Sequence, residues 1–369
     1  MSAAPMRVGV NALYLIPGGV GGTEIYLRQL LDALAAVDPD NQYVLYTNRE
    51  TGRALGPAAP NFVVREMPVR AARRPARILF EQFRLPLRRD RIGVLLNPGF
   101  TTPLAAPCPA VTVFHDLQHV RHPEHFRWFD LPAWRFLLWA AARRSERLIA
   151  VSHATAADIR AHYGREAAVV HHGVDPRFLA MERRAPGRFL LCVSTLHPHK
   201  NLARLVEAFH AFRERHPDFR LVIPGLRGFF TAQLEAKIAA LGLGGAVELK
   251  GWIPREELLR LYETAWAFVY PSTFEGFGMP VLEAMAAGLP VVCSAIPPLE
   301  EVAGGAAELF PPGDTAALAA ALTRITDDEA LRRRLAAAGR ERAREFTWER
   351  CARATLAELR AAYRSRSSS

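Results

Sequence analysis

The sequence predicts an α/β fold built from two doubly wound, Rossmann-like domains, and three observations lead there. Short apolar, β-branched runs alternate with helical patterns from end to end, as expected of parallel sheets covered on both faces. A polar break with two prolines, DPRFLAMERRAPGR at 175–188, divides that alternation into two series of similar size. The length of 369 residues exceeds one ordinary domain and suits about two.

In the first series, strands are expected at 7–15, 43–46, 93–96, 110–114, 147–151 and 168–171. A helix at 24–36 carries Ile25, Leu27, Leu30, Leu31 and Leu34 at apolar spacing. The second series places strands at 189–193, 220–223, 247–249, 267–270 and 291–293, with helices at 202–214 and 231–241. Expected boundaries are 1–180 for the first domain and 181–345 for the second. Residues 346–369 form a last segment. Its helix at 348–363 either ends the second domain or, the favoured arrangement, crosses back onto the first. Ser365–Ser369 reads as a frayed tail.

Composition narrows the class. Half the residues are hydrophobic and 23% are charged, an ordinary soluble balance. No apolar run approaches the roughly 20 residues that span a bilayer. The opening MSAAPMRVGV lacks a basic region followed by an apolar core, so no secretory signal is expected. Cys108, Cys192, Cys293 and Cys351 are scattered without a CxxC pair, which argues against zinc and disulfides and fits a reducing cytoplasm. The net charge is +10 and uneven: arginines stand at 70, 73, 74, 77, 84, 88, 89 and 91. One reading is a solvated arginine-rich surface. The other is a face for anionic lipid headgroups or an anionic acceptor, which would bring the protein to the inner face of the cell membrane. No nucleic-acid-binding pattern is present, so nucleic acid is not an expected partner.

Ligands of open α/β sheets bind beyond the carboxyl ends of strands, and two facing domains make the cleft between them the expected site. After the first strand, IPGGVGGTE carries Gly18, Gly19, Gly21 and Gly22, which allow close backbone approach at a helix start. Glu24 stands where a dinucleotide fingerprint needs its last glycine, and a plain flexible turn is the alternative. His115 and Asp116 end another strand; the histidine can donate to a substrate oxygen, with Asp116 fixing its tautomer or capping a turn. His119, His122 and His125 have HxxHxxH spacing, but Pro123 and the absence of a clear helical face argue against a metal. Asn201 is the expected N-cap of the helix at 202–214, which sets Lys200 beside a helix N-terminus where a bound phosphate would offset an unfavourable charge. Alternatively the lysine simply swings away.

The segment PSTFEGFGMPVLEAMAAGLPVV holds Glu275 and Glu283 eight residues apart. Pro280 suits a helix start, which puts Glu283 in the first turn and Glu275 in the loop before it. Ser272 and Glu275 also match a capping box, although Gly276, Gly278 and Pro280 argue against a helix beginning there.

Taken together, GGVGGTE, FHDLQH, VSHATAADI, HHGVD, TLHPHKNLARLVEAF, GWIPREELLRLYETAWAFVYPS and EGFGMPVLEAMAAGLPVV resemble the retaining glycosyltransferases of family four, the group-one glycosyltransferases of GT-B fold. The last is that family's E-x7-E segment. The resemblance implies a nucleotide-diphosphate sugar in the C-terminal domain, with Glu283 on the ribose and Lys200 on the diphosphate. Glu275, with the backbone of Phe277, Gly278 and Met279, would bind the donor sugar. Gly21 and Gly22 would approach the phosphates, and His115 the sugar; Asp116, Ser152, Thr195 and Asn201 lie in matching motifs. Many relatives carry an arginine five residues before the lysine, where this chain has Thr195, so Lys200, the helix ends or an arginine such as Arg227 must supply the charge. The family usually needs no metal and no cofactor. The forms TLHPHKN and HDLQHVRHPEHF look most like members that build bacterial polysaccharides, for which GDP-mannose is the favoured donor and a lipid-linked or polysaccharide chain the acceptor. A nucleotide-sugar epimerase and a non-catalytic nucleotide-sugar or glycan-binding protein are the alternatives.

Overall fold

The structure, a computed structural model, describes residues 5–19 and 21–367. The first four residues of the segment read for a secretory signal and the last two of the expected tail lie outside the described residues. The chain divides into two compact units, Met1–Gly173 with Thr347–Ser369, and Val174–Phe346.

The first unit is built on β1 (Arg7–Asn11), β2 (Gln42–Thr47), β3 (Phe62–Glu66), β4 (Val94–Asn97), β5 (Ala110–Phe114), β6 (Arg147–Ala150) and β7 (Ala168–Val169). They form one parallel sheet in the order β3-β2-β1-β4-β5-β6-β7. The central strands β1, β4 and β5 are buried nearly throughout, which is why their runs are apolar without alternation. Edge strand β3 is half exposed and carries Arg65 and Glu66; sequence reading passed over it for that reason. The expected first strand stops at Asn11 rather than Leu15. Beyond it the side chain of Asn48 donates to the carbonyls of Leu13 at 3.0 Å and Leu15 at 2.7 Å, so backbone acceptors there are met without a sheet ladder.

The helix Trp348–Ser367 belongs to this unit and continues through Ser365, where fraying was expected. Ala352, Leu359 and Ala362 are buried on it. Glu358 accepts from Arg147 at 2.7 Å and Arg360 stands 3.5 Å from Asp38, so ion pairs flank the apolar seam. The ring of Tyr363 lies over Gly93, just before β4; a Cβ on that glycine would stand 2.4 Å from the ring.

The second unit contains β8 (Phe189–Leu191), β9 (Arg220–Pro224), β10 (Val247–Gly251), β11 (Ala267–Tyr270), β12 (Val291–Ser294) and β13 (Glu308–Phe310), again a parallel sheet, in the order β10-β9-β8-β11-β12-β13. Leu205, Val206, Phe209 and Phe212 of the helix Leu202–Arg213 pack with Leu190, Leu221, Ile223 and Val269 of the strands in one core. β13, three residues long and partly exposed at the sheet edge, was not expected from the sequence, whereas β8, equally short but fully buried, was.

The boundary falls at 173/174 and 346/347, not at 180/181 and 345/346. Val174 donates its N–H to the carbonyl of Phe346, Phe178 packs edge-on against Tyr262 at 5.0 Å, and Asp175 pairs with Arg255. Residues 174–180, the first part of the polar break included, are thus bound into the second unit.

Replacing Gly93 with alanine should lower stability by about 1–3 kcal/mol, because the new methyl group must displace Tyr363. Urea denaturation checks this, and adding Tyr363→Leu should recover part of the loss.

Candidate active site

In the first unit the candidates follow β1, β5 and β6. Gly21 precedes the helix Gly22–Val37 with φ 58° and ψ −127°, a region open to glycine. Among the described residues, a Cβ on Gly21 or Gly22 would meet nothing within 4 Å, so the backbone at these two positions is unobstructed. Glu24 ties the loop down: it accepts from the Gly18 N–H at 2.7 Å and pairs with Arg28 at 2.9 Å.

His115 is buried at the end of β5, edge-on to Tyr26 at 4.9 Å and Phe100 at 5.2 Å. Its Nε2 lies 2.8 Å from the Pro98 carbonyl, so Nε2–H donates there and Nδ1 is the acceptor nitrogen of a neutral ring. Burial pulls its pKa down from 6.5 to about 4, the Pro98 bond opposing only in part. The expected Asp116 role in fixing the tautomer is not seen. Asp116 instead accepts from the Gln118 N–H at 2.9 Å, the turn-capping alternative. Ser152 is the N-cap of the helix His153–Tyr163, accepting from the Thr155 N–H at 3.1 Å.

The HxxHxxH residues do not converge. His119 points inward to the Tyr163 hydroxyl at 2.7 Å. His122, Glu124 and His125 do place ligand atoms within 4.8 Å of one another and could jointly hold a metal, but hydrogen bonding already accounts for their approach. His122 bonds Glu124 at 2.9 Å, and His125 bonds Gln118 at 3.3 Å.

In the second unit, the sheet order sets the ends of β8 and β11 side by side. Thr273, after β11, donates both its N–H (2.8 Å) and its hydroxyl (3.2 Å) to the carbonyl of His199, which lies in the 3₁₀ turn Pro198–Lys200 after β8. That stitch brings Lys200 Nζ to 2.6 Å from Glu275 Oε1 and 3.1 Å from the Tyr270 hydroxyl. The side chains of Lys200 and Glu275 are only 14% and 11% exposed. The lysine charge beside the helix is therefore met by Glu275. Asn201 does precede that helix, with φ 55°, but its side chain makes no capping bond; asparagine is suited to that left-handed position instead. Thr195 is partly exposed, and its carbonyl accepts from the His197 N–H at 2.9 Å. Arg227, a candidate for the missing charge, pairs with Glu235 at 3.2 Å.

The helix after the glycine loop runs Met279–Ala286, so Ser272 and Glu275 cap nothing and Glu283 is its fifth residue rather than a first-turn acid. Gly278 precedes it with φ 107°, and a Cβ there would stand 2.5 Å from a Leu299 methyl. Phe277 is buried, its ring edge-on to Phe346 at 5.9 Å. Glu283 is buried and accepts from the Tyr262 hydroxyl at 3.2 Å, with Arg255 at 3.5 Å. Burial raises its pKa, and Arg255 and Tyr262 act against that rise. Arg255 donates in turn to Asp175 at 3.0 Å and stacks over Phe178 at 4.7 Å. Sequence reading missed Arg255, Tyr262 and Asp175 as site residues; only the motif neighbourhoods HHGVD and GWIPREELLRLY hinted at them. One loop-helix segment thus presents two carboxylates, acceptors suited to hydroxyl groups, beside a lysine and a helix start suited to an anion.

A family model described as Glycosyltransferase Family 4 matches residues 20–178, and one described as Glycosyl transferases group 1 matches residues 181–342. The chain belongs to glycosyltransferase family 4. O-antigen chain mannosyltransferase B of Escherichia coli is 36% identical to this family 4 chain over 172 residues, 46% of the chain and 44% of the relative. The MMP alpha-(1->4)-mannosyltransferase of Mycolicibacterium hassiacum is 36% identical over 225 residues, 58% of the chain and 54% of the relative. The chain spans about half the length of these curated relatives. The structure matches sucrose-phosphate synthase from Thermosynechococcus elongatus with a TM-score of 0.79 at 22% identity, covering 98% of this chain and 100% of that one. That likeness shows the fold, GT-B.

A histidine whose folded pKa lies near 4 binds fewer protons than its unfolded form between pH 4 and 6.5, so its contribution to stability is present above 6.5 and lost as pH falls toward 4. Its size is about 3 kcal/mol. His115→Gln should therefore shrink the difference in urea stability between pH 7.5 and pH 4.5, by about 2 kcal/mol.

Proposed function

We propose that the protein is a retaining, metal-independent mannosyltransferase that moves mannose from GDP-mannose to a lipid-linked or polysaccharide acceptor in bacterial cell-surface polysaccharide synthesis. The observation that carries this reading is the Glu275–Glu283 segment, each carboxylate held by its own cation at the ends of parallel strands. Glu283 binds the ribose hydroxyls. Glu275, with the backbone of Phe277, Gly278 and Met279, binds the hydroxyls of the sugar. Lys200 shares its charge between Glu275 and the diphosphate, the leaving group on which negative charge develops. Within the first unit, neutral His115 offers an imidazole acceptor and Gly21 and Gly22 offer unobstructed backbone. Relatives whose names specify mannose, among them a GDP-mannose:cellobiosyl-diphosphopolyprenol alpha-mannosyltransferase of Xanthomonas campestris that is 36% identical over 137 residues, support the donor and the lipid-linked acceptor.

Incubation with GDP-mannose and a polyprenyl-diphosphate glycan should release GDP, form an α-linked product from the α-linked donor, and continue in the presence of a chelator. Glu275→Gln should reduce transfer by about 100-fold or more with the fold intact. Unchanged transfer in that variant would remove Glu275 from the site; conversion of the donor without an acceptor would identify an epimerase, and donor binding without turnover a binding protein.

We also propose that the acceptor is met at an anionic membrane surface. Among the described residues no helix is long and apolar enough to cross a membrane. Between β3 and the helix Arg74–Phe83 lies a cavity of about 640 Å³ whose walls include Arg53, Arg65, Arg84 and Arg88 and the apolar side chains of Phe80 and Leu87. Leu87, on the wall beside these arginines, is exposed, as are Leu79 and Phe83 of the same segment, a combination that suits lipid headgroups and the acyl boundary. Arg77 is not part of this face; it is buried against Glu81 at 3.1 Å. Sedimentation with vesicles should rise with anionic lipid and fall with salt, and Arg84→Glu with Arg88→Glu should abolish it.

A further inference from the structure

The carboxylate of Glu283 is held by residues that nothing in the sequence motifs assigns. Arg255, at the start of the helix Arg255–Thr264, reaches across to stand 3.5 Å from Glu283 Oε1, while the Tyr262 hydroxyl of the same helix donates to Oε2 at 3.2 Å. Arg255 is itself restrained on two further sides. Its guanidinium donates to Asp175 Oδ2 at 3.0 Å and lies over the Phe178 ring at 4.7 Å. Asp175 is 10% exposed, accepts from the Arg177 N–H and side chain, and caps the short helix Pro176–Leu179. Removing the partner of a buried carboxylate leaves it to turn, or to take up a proton.

We propose that Arg255 is the positioning residue for donor binding: anchored by Asp175 and Phe178, it keeps Glu283 ionised and aimed so that its remaining lone pairs accept from a ribose diol. The two oxygens of a carboxylate offer about four acceptor sites; Tyr262 occupies one on Oε2 and Arg255 stands in an ion pair 3.5 Å from Oε1, leaving capacity for two hydroxyls. Arginine suits this task because its planar fork serves Asp175 and Glu283 together, which the single ammonium of lysine does poorly. Specificity follows for a nucleotide bearing both ribose hydroxyls over one that lacks them. The inference rests on the reading that Glu283 carries the ribose.

The test is a comparison of GDP with 2′,3′-dideoxy-GDP by calorimetric titration of wild type, Glu283→Gln, Arg255→Met and Asp175→Asn. Glu283→Gln tests the underlying reading: it should weaken GDP by about tenfold or more and dideoxy-GDP by less than about threefold. Arg255→Met should reproduce that pattern, and Asp175→Asn should show a smaller loss with the same selectivity. If Glu283→Gln weakens neither nucleotide or both equally, the ribose reading fails. If Glu283→Gln behaves as expected while Arg255→Met leaves GDP affinity unchanged, or weakens both nucleotides equally, the positioning role is overturned. Should Arg255→Met not fold, Arg255→Lys is judged by the same criterion: a loss confined to GDP supports the role, and an equal or absent loss contradicts it.

Discussion

A carboxylate withdrawn from water must find a cation and hydrogen-bond donors, or it will not stay charged, and the second unit meets that demand twice within nine residues of chain. Glu275 is answered by Lys200 and Glu283 by Arg255. Neither cation is a sequence neighbour. One follows β8, the neighbour of β11 in the sheet; the other opens the helix Arg255–Thr264 after edge strand β10, and that helix reaches Glu283 through Arg255 and Tyr262. The geometry of the site is in this sense a consequence of how the sheet is wound.

The rest of the local structure serves those two pairs. The double hydrogen bond from Thr273 to the His199 carbonyl fixes the separation of Lys200 and Glu275. Gly278 turns the chain with a left-handed φ close against Leu299, so the helix begins at Met279 and Glu283 falls on its second turn, turned inward to Tyr262. The cations and anions also restrain one another, since Asp175 holds Arg255 while accepting from Arg177. Carboxylates held this way are oriented in advance, so a ligand whose hydroxyls they accept would meet little reorganisation.

The alternation of strands and helices was legible in the sequence because central parallel strands such as β5 and β11 are buried throughout and mostly apolar. Two of the four edge strands were not: β3 has exposed charges, and β13 is a short, partly exposed run. The seven residues 174–180 were assigned to the wrong side of the boundary because their ties, to Phe346, Tyr262 and Arg255, are long-range. The same reason hid Arg255 and Tyr262, whose contacts with Glu283 span 28 and 21 residues (283 − 255 and 283 − 262). Spacing rules speak of neighbours along a helix or strand. His115 was found by its place at a strand end, but its tautomer depends on the Pro98 carbonyl, 17 residues away.

The central claim is that Glu275 and Glu283 lie along one nucleotide sugar, the first on the sugar and the second on the ribose. A crystal structure of the protein with GDP-mannose bound tests it most directly. Glu283 should then be in hydrogen-bond contact with both ribose hydroxyls while keeping Arg255, and Glu275 in contact with the mannose. A nucleotide whose ribose makes no contact with Glu283, or whose sugar lies away from Glu275, would contradict it.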